Sequence, residues 1–200
     1  DGKDLIQMKT SEIRGCGIEV VYQEFNLALQ LPVYENIFIG NLAGKGPGGK
    51  LADKKYMIET TRKLFDQLGI HIDPEARVDS LSVAYMQFVE IAKAVSRNVR
   101  VLIMDEPTAT LTNAEVEILF KTIRKLKAEG VTIIYVSHRM EEIFELTDRC
   151  SVLRDGKYIA TVNTKETTRK ELIQHMVGRE VSETFPSRNV EIGEEVLRVE

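Results

Sequence analysis

Val101-Leu102-Ile103-Met104-Asp105-Glu106-Pro107-Thr108-Ala109 is an apolar run that ends in two adjacent carboxylates. Four consecutive large apolar residues between polar segments are too few to cross a bilayer and read as a central parallel strand covered on both faces. The acids then stand at the strand's carboxyl end. In open α/β sheets that edge is where ligands bind, and two carboxylates there suit a hydrated magnesium ion and an attacking water. A strand that merely stops at a polar turn has the same letters, so the neighbouring elements decide between the two.

Downstream, Thr112-Asn113-Ala114-Glu115 is a capping box that starts a helix carrying Val116, Leu119, Ile123 and Leu126 inward until Gly130 stops it. Residues 131–136 read as a second buried strand ending in Ser137-His138. Strand, helix, strand is a right-handed parallel crossover, which brings His138 to the edge that holds Asp105 and Glu106 if the two strands are neighbours. Upstream, residues 17–24 form a β-branched run leading into a loop with Gln23. Residues 31–40 predict a short helix with Pro32 near its first turn and Gly40 at its end. Asp53 caps a helix with Met57, Thr61, Leu64, Phe65 and Leu68 on one face and Gly69 at its close. Leu81-Ser82 opens another, in which Tyr85, Phe88, Val89, Ala92 and Val95 recur at helical spacing. Ser82 falls where an N-cap belongs, and the free amides behind it also suit an anion. Asp155-Gly156 marks a hairpin, and Thr168-x-x-Glu171 boxes a last helix that stops at Gly178.

Composition narrows the possibilities further. Two hundred residues at 43% hydrophobic and 29% charged describe a soluble globular chain with one substantial core, or a core and a small lobe. A net charge of -4 with interspersed lysines and glutamates argues against a nucleic-acid surface. Cys16 and Cys150 have no ligand spacing and read as reduced thiols. No apolar run approaches a membrane span and the first residues are not a signal peptide, so a membrane role must come through a partner. Gly44-Lys45-Gly46-Pro47-Gly48-Gly49-Lys50 fits the letters of a phosphate loop, but Leu51 replaces the hydroxyl that would hold magnesium, and an amphipathic helix precedes it instead of a buried strand. A flexible surface connection is the expectation for that stretch.

Taken in order, Gln23 after a strand, Leu81-Ser82 opening a helix, the strand ending Asp105-Glu106, Thr110-Leu111 after it and Ser137-His138 on the next strand resemble the ATP-binding cassette of ABC transporters over nearly all of residues 1–178. Leu81-Ser82-Val83-Ala84, Val89-Glu90-Ile91-Ala92-Lys93-Ala94, Val136-Ser137-His138-Arg139-Met140 and Met176-Val177-Gly178-Arg179-Glu180 are similar to the ATP subunits of bacterial sugar importers, which carry two cassettes in one polypeptide. The resemblance implies an α/β, P-loop NTPase-like cassette in residues 1–178, with a mostly parallel sheet core and a helical subdomain about residues 32–96 that docks on the membrane subunit. Residues 179–200 would be a linker and the start of a second cassette.

The resemblance also assigns roles. Gln23 would be the Q-loop residue that touches magnesium and the attacking water, and Asp105 would hold magnesium through water. Glu106 would be the general base and His138 the switch residue that orients water and γ-phosphate. Ser82 and the amides of Val83, Ala84 and Tyr85 would grip the γ-phosphate of an ATP held by the opposite cassette. ATP and Mg2+ are the implied ligands. The implied partners are a second cassette, the transmembrane permease subunits and, indirectly, a periplasmic sugar-binding protein, with no nucleic acid, at the cytoplasmic face of the bacterial inner membrane. Three departures stand out. Val83, Ala84 and Tyr85 replace the usual two glycines and glutamine, Thr112 replaces the common D-loop aspartate, and the Walker A loop is expected upstream of residue 1, making the cassette N-terminally incomplete and the 200 residues inactive alone. The departures also admit a non-catalytic, nucleotide-responsive cassette that serves dimerisation and docking, an alternative opposed by Gln23, Asp105, Glu106 and His138.

Overall fold

The computed structural model describes residues 2, 4–40, 53–178 and 198. The glycine-rich stretch 44–50 and the strand-like end at 195–200, save Arg198, lie outside the described residues. The chain divides into two compact units, Asp1–Leu146 and Thr147–Glu200.

The first unit is built on a three-stranded parallel sheet in the order β1-β2-β3, with β1 Ile18–Val21, β2 Val101–Asp105 and β3 Thr132–Val136. The register pairs Val21 with Met104 and Asp105 with Val136, so all three carboxyl ends lie along one rim. Gly17 makes the entry to β1 possible: its φ is +78°, and the stem of Arg100 passes 3.1 Å from where a Cβ would stand. Its carbonyl accepts from the amides of Arg100 and Val101 at 2.7 and 3.0 Å, which sets the register of β2.

The helices follow the capping chemistry closely. α1 Thr10–Gly15 precedes β1, and α2 Val33–Phe38 begins after Pro32. α3 Lys54–Leu68 is capped by Asp53, whose side chain accepts from the Tyr56 amide, and closes on left-handed Gly69. A short 3-10 turn, Val78–Ser80, leads to α4 Val83–Val95, capped by Ser82. α5 Asn113–Ala128 starts on the Thr112–Glu115 box, and α6 Met140–Leu146 follows β3. Met57, Phe65 and Leu68 of α3, Phe88, Val89 and Ile91 of α4 and Leu119, Ile123 and Leu126 of α5 join Val21, Leu102 and Met104 in one core. Asn36 of α2, fully buried, accepts from the Ala28 amide at 2.7 Å and donates to the carbonyls of Ala28, Leu31 and Pro32. It thereby holds the loop that runs from β1 to α2.

Two expectations need correction. β3 is not a buried strand: Ile133 and Tyr135 pack on the core, whereas Ile134 and Val136 are 47% and 46% exposed. In register, Glu19, Val21, Leu102, Met104, Ile133 and Tyr135 share the covered face, and the opposite face, with Val101 and Ile103, is only partly covered. A run that is apolar at every position suggests burial on both sides, but among the described residues helices cover one. Tyr85 is likewise exposed although it falls at helical spacing; in the first turn of α4 the inward position belongs to Ala84.

The second unit is an antiparallel hairpin, β4 Arg149–Arg154 and β5 Lys157–Asn163, followed by α7 Arg169–Val177. Asp155 and Gly156 turn it with φ of +52° and +71°, the paired left-handed geometry of a tight hairpin. The Thr168–Glu171 box starts α7 and left-handed Gly178 ends it.

Candidate active site

The rim of the parallel sheet gathers the acids and the imidazole. Asp105 is the last residue of β2 and pairs with Val136. Glu106 then leaves the strand with φ +44°, a left-handed conformation that a residue with a long side chain adopts only when its surroundings enforce it. Two backbone bonds hold it there: its amide donates to the Val136 carbonyl at 3.0 Å, and its carbonyl accepts from the Ala109 amide at 3.2 Å. The turn aims the carboxylate along the rim, where Glu106 Oε1 lies 2.9 Å from Nδ1 of His138, two residues past the end of β3. Both side chains remain accessible, at 33% for Glu106 and 70% for His138, so a substrate or a water can reach the pair.

Chemically, a carboxylate against an imidazole nitrogen can accept a proton from water and keep the ring oriented, while the ring's other nitrogen remains available to a ligand. The Asp105 carboxylate makes no hydrogen bond or ion pair among the described residues, leaving its oxygens to other ligands. Gln23 lies on the loop two residues beyond the end of β1, exposed at the same rim, and makes no hydrogen bond to Glu106 or His138. Asp105 and Gln23 are hard oxygen donors that fit Mg2+, an ion that keeps several waters and takes one or two protein groups alongside substrate phosphates. The described residues offer no cluster of three or more His, Cys, Asp or Glu around one point.

The signature residues stand apart on the N-terminus of α4. Ser82 accepts from the Tyr85 amide at 3.4 Å, Ser82, Val83 and Tyr85 are exposed, and Ala84 is buried with its amide in the first turn. Among the described residues no hydrogen bond or ion pair joins these four to the Glu106–His138 pair.

Sequence reasoning missed a residue behind the pair. Glu142 of α6 is 2% exposed, yet its carboxylate receives Thr108, Tyr135, Ser137 and Arg139. Met140, Ile143 and Leu146 at i, i+3 and i+6 were the signal for its helix.

In class, the fold is an α/β nucleotide-binding cassette of the P-loop NTPase kind. A solved ATP-binding cassette of an ABC transporter in its ADP conformation superimposes with a TM-score of 0.71 over 88% of this chain and 74% of that one, at 24% identity. A nucleotide-free ATP-binding cassette from an ABC transporter gives a TM-score of 0.68 over 90% of this chain and 73% of that one, at 25% identity. The chain belongs to the ABC transporter family, whose model matches residues 1–109. Among curated relatives, it is 44% identical over 205 residues to a ribose import ATP-binding protein of Clostridium tetani, covering 100% of this chain and 40% of that protein. It is 46% identical over 198 residues to a galactose/methyl galactoside import ATP-binding protein of Escherichia coli, covering 99% of this chain and 38% of that protein. The chain thus spans about two fifths of the length of the curated relatives it matches.

Proposed function

We propose that the chain is the greater part of an ATP-hydrolysing cassette that energises carbohydrate import. The observation that carries the proposal is the 2.9 Å approach of His138 to a left-handed Glu106 beside Asp105 at the carboxyl rim of the sheet. The identities of 44 to 46% with ribose and galactose import proteins support carbohydrate as the cargo class.

In this reading Glu106 accepts a proton from the water that attacks the γ-phosphate, and His138 fixes the carboxylate's orientation from one side. Its remaining ring nitrogen faces the transferring phosphoryl group, where charge spreads over the equatorial oxygens. Bound Mg2+ would neutralise phosphate charge, held by Asp105 through water and by Gln23. Gln23 also reports the state of the rim to the helical lobe, about residues 32–96, which docks on a membrane permease. Ser82 and the amides of Val83, Ala84 and Tyr85 take the γ-phosphate of an ATP seated on a second cassette, where the first-turn amides of α4 have no carbonyl partner within the helix. The cassette proper covers residues 1–178, with 179–200 leading to the second cassette.

The partners are therefore a second cassette, permease subunits and, through them, a periplasmic sugar-binding protein, at the cytoplasmic face of the inner membrane. No helix among the described residues is long and apolar enough to cross a membrane, so attachment through permease subunits suits it. Turnover is assigned to the full-length protein and not to these 200 residues alone. Glu106→Gln in the full-length protein keeps the side chain's shape and removes its basicity. Hydrolysis should fall by about 100-fold or more while ATP stays bound. Wild-type turnover in that variant removes Glu106 from the mechanism.

A further inference from the structure

Glu142 does not reach the rim, yet both segments that carry the rim pair are tied to it. Its Oε1 accepts from the Thr108 hydroxyl at 2.7 Å and lies 2.9 Å from the Arg139 guanidinium. Its Oε2 accepts from the Tyr135 hydroxyl at 2.8 Å and from the Ser137 hydroxyl at 2.9 Å. Four donors thus occupy the acceptor sites of one carboxylate. Ser137 passes the restraint on, since its oxygen accepts from the Arg139 amide at 3.0 Å. His138 sits between two residues held by the same group. Thr108 in turn lies in the turn that the Ala109 amide closes on the Glu106 carbonyl.

A buried carboxylate in a core position costs several kcal/mol unless well paired, and an apolar side chain of that size would be tolerated there at lower cost. Filling all of its acceptor sites with donors from three different segments yields geometry as well as stability. Tyr135 shows the same coupling from the other side: burial and the Glu142 carboxylate push its hydroxyl well above the usual phenol range, keeping it a donor.

We propose that Glu142 is a positioning residue that locks the turn after β2 to the loop after β3 and so sets the approach of Glu106 to His138. The inference rests on the reading of that pair as the hydrolytic one. If it holds, Glu142→Gln in the full-length protein, which replaces one acceptor with an N–H facing a hydroxyl, lowers kcat about 10- to 100-fold while the KM for Mg-ATP stays within about twofold. A purely structural role would reduce the folded fraction and leave the folded molecules at wild-type kcat.

Two further measurements separate the cases. In a Glu106→Gln background, Glu142→Gln should add no further loss to kcat, because the group it positions is gone; an additive loss overturns the proposal. Without nucleotide, the His138 ring resonances in Glu142→Gln should move toward their positions in Glu106→Gln, and resonances that stay at wild-type positions overturn it. Thr108→Val, which removes a single donor at nearly constant volume, supplies the same NMR readout should Glu142→Gln fold poorly. If Glu106→Gln itself leaves turnover intact, the function reading fails, yet the NMR shift still tests whether Glu142 sets the pair.

Discussion

Replacing Asn36 by alanine tests how the loop between β1 and α2 is held. The side chain is fully buried, and its oxygen is the acceptor for the Ala28 amide at 2.7 Å. Its nitrogen donates to three carbonyls, but each of these has a second donor: Ala28 O takes the Leu31 amide, Leu31 O the Val78 amide and Pro32 O the Asn36 amide. The dominant loss is therefore the unmet Ala28 N–H, about 1–3 kcal/mol, with a few tenths more for each weakened carbonyl and for the void. A total near 3 kcal/mol lowers the melting temperature by roughly 6–12 °C for a protein of this size. Asn36→Asp sharpens the test, because it keeps the acceptor but turns a carboxylate oxygen toward the carbonyls. That raises its folded pKa above the unfolded value of about 3.9, so its deficit is largest at neutral pH and shrinks as pH falls below the raised value. Urea unfolding monitored by circular dichroism across pH reads both effects. An alanine variant within about 1 kcal/mol of wild type, or an aspartate variant whose deficit is unchanged on acidification, refutes the reasoning.

Other perturbations follow from the same geometry. Gly17→Ala combines a φ of +78° with a Cβ 3.1 Å from the Arg100 stem, and should cost about 1–3 kcal/mol in urea unfolding. Gly130→Ala, with φ +91° and open space around it, should cost less, and equal losses would mean that the Arg100 contact gives way freely. Glu90 accepts from the Asn26 amide at 2.8 Å while burial raises its pKa, against the opposing pull of Lys93. A raised folded pKa means that the native state binds more protons in that window, so stability from this group is present at acid pH and lost as pH rises through the raised value. Glu90→Gln should accordingly gain on wild type as pH rises from the ordinary glutamate value of about 4.3 through the raised one, and a constant difference would show that the group does not titrate on unfolding.

Much of this was legible because caps and stops are local. Asp53, Ser82, Thr112 and Thr168 each begin a helix where their side chains predict, and Gly69 and Gly178 end theirs in left-handed conformation. The meeting of Glu106 and His138 was also readable, since parallel neighbours linked through one helix must share a rim. Two things were not. Burial of β3 depends on what covers each face, which no run of β-branched residues encodes. The role of Glu142 was not legible, because its donors come from residues 108, 135, 137 and 139, and only the folded chain brings these together.

The left-handed backbone at Glu106 bears on how the chain can be engineered. Glycine would adopt that turn without penalty, so a search for thermal robustness alone would drift toward Glu106→Gly and discard the carboxylate. On the proposed reading, an acid at this one position trades resilience for turnover, and consensus or stability-guided redesign of the chain should leave it untouched.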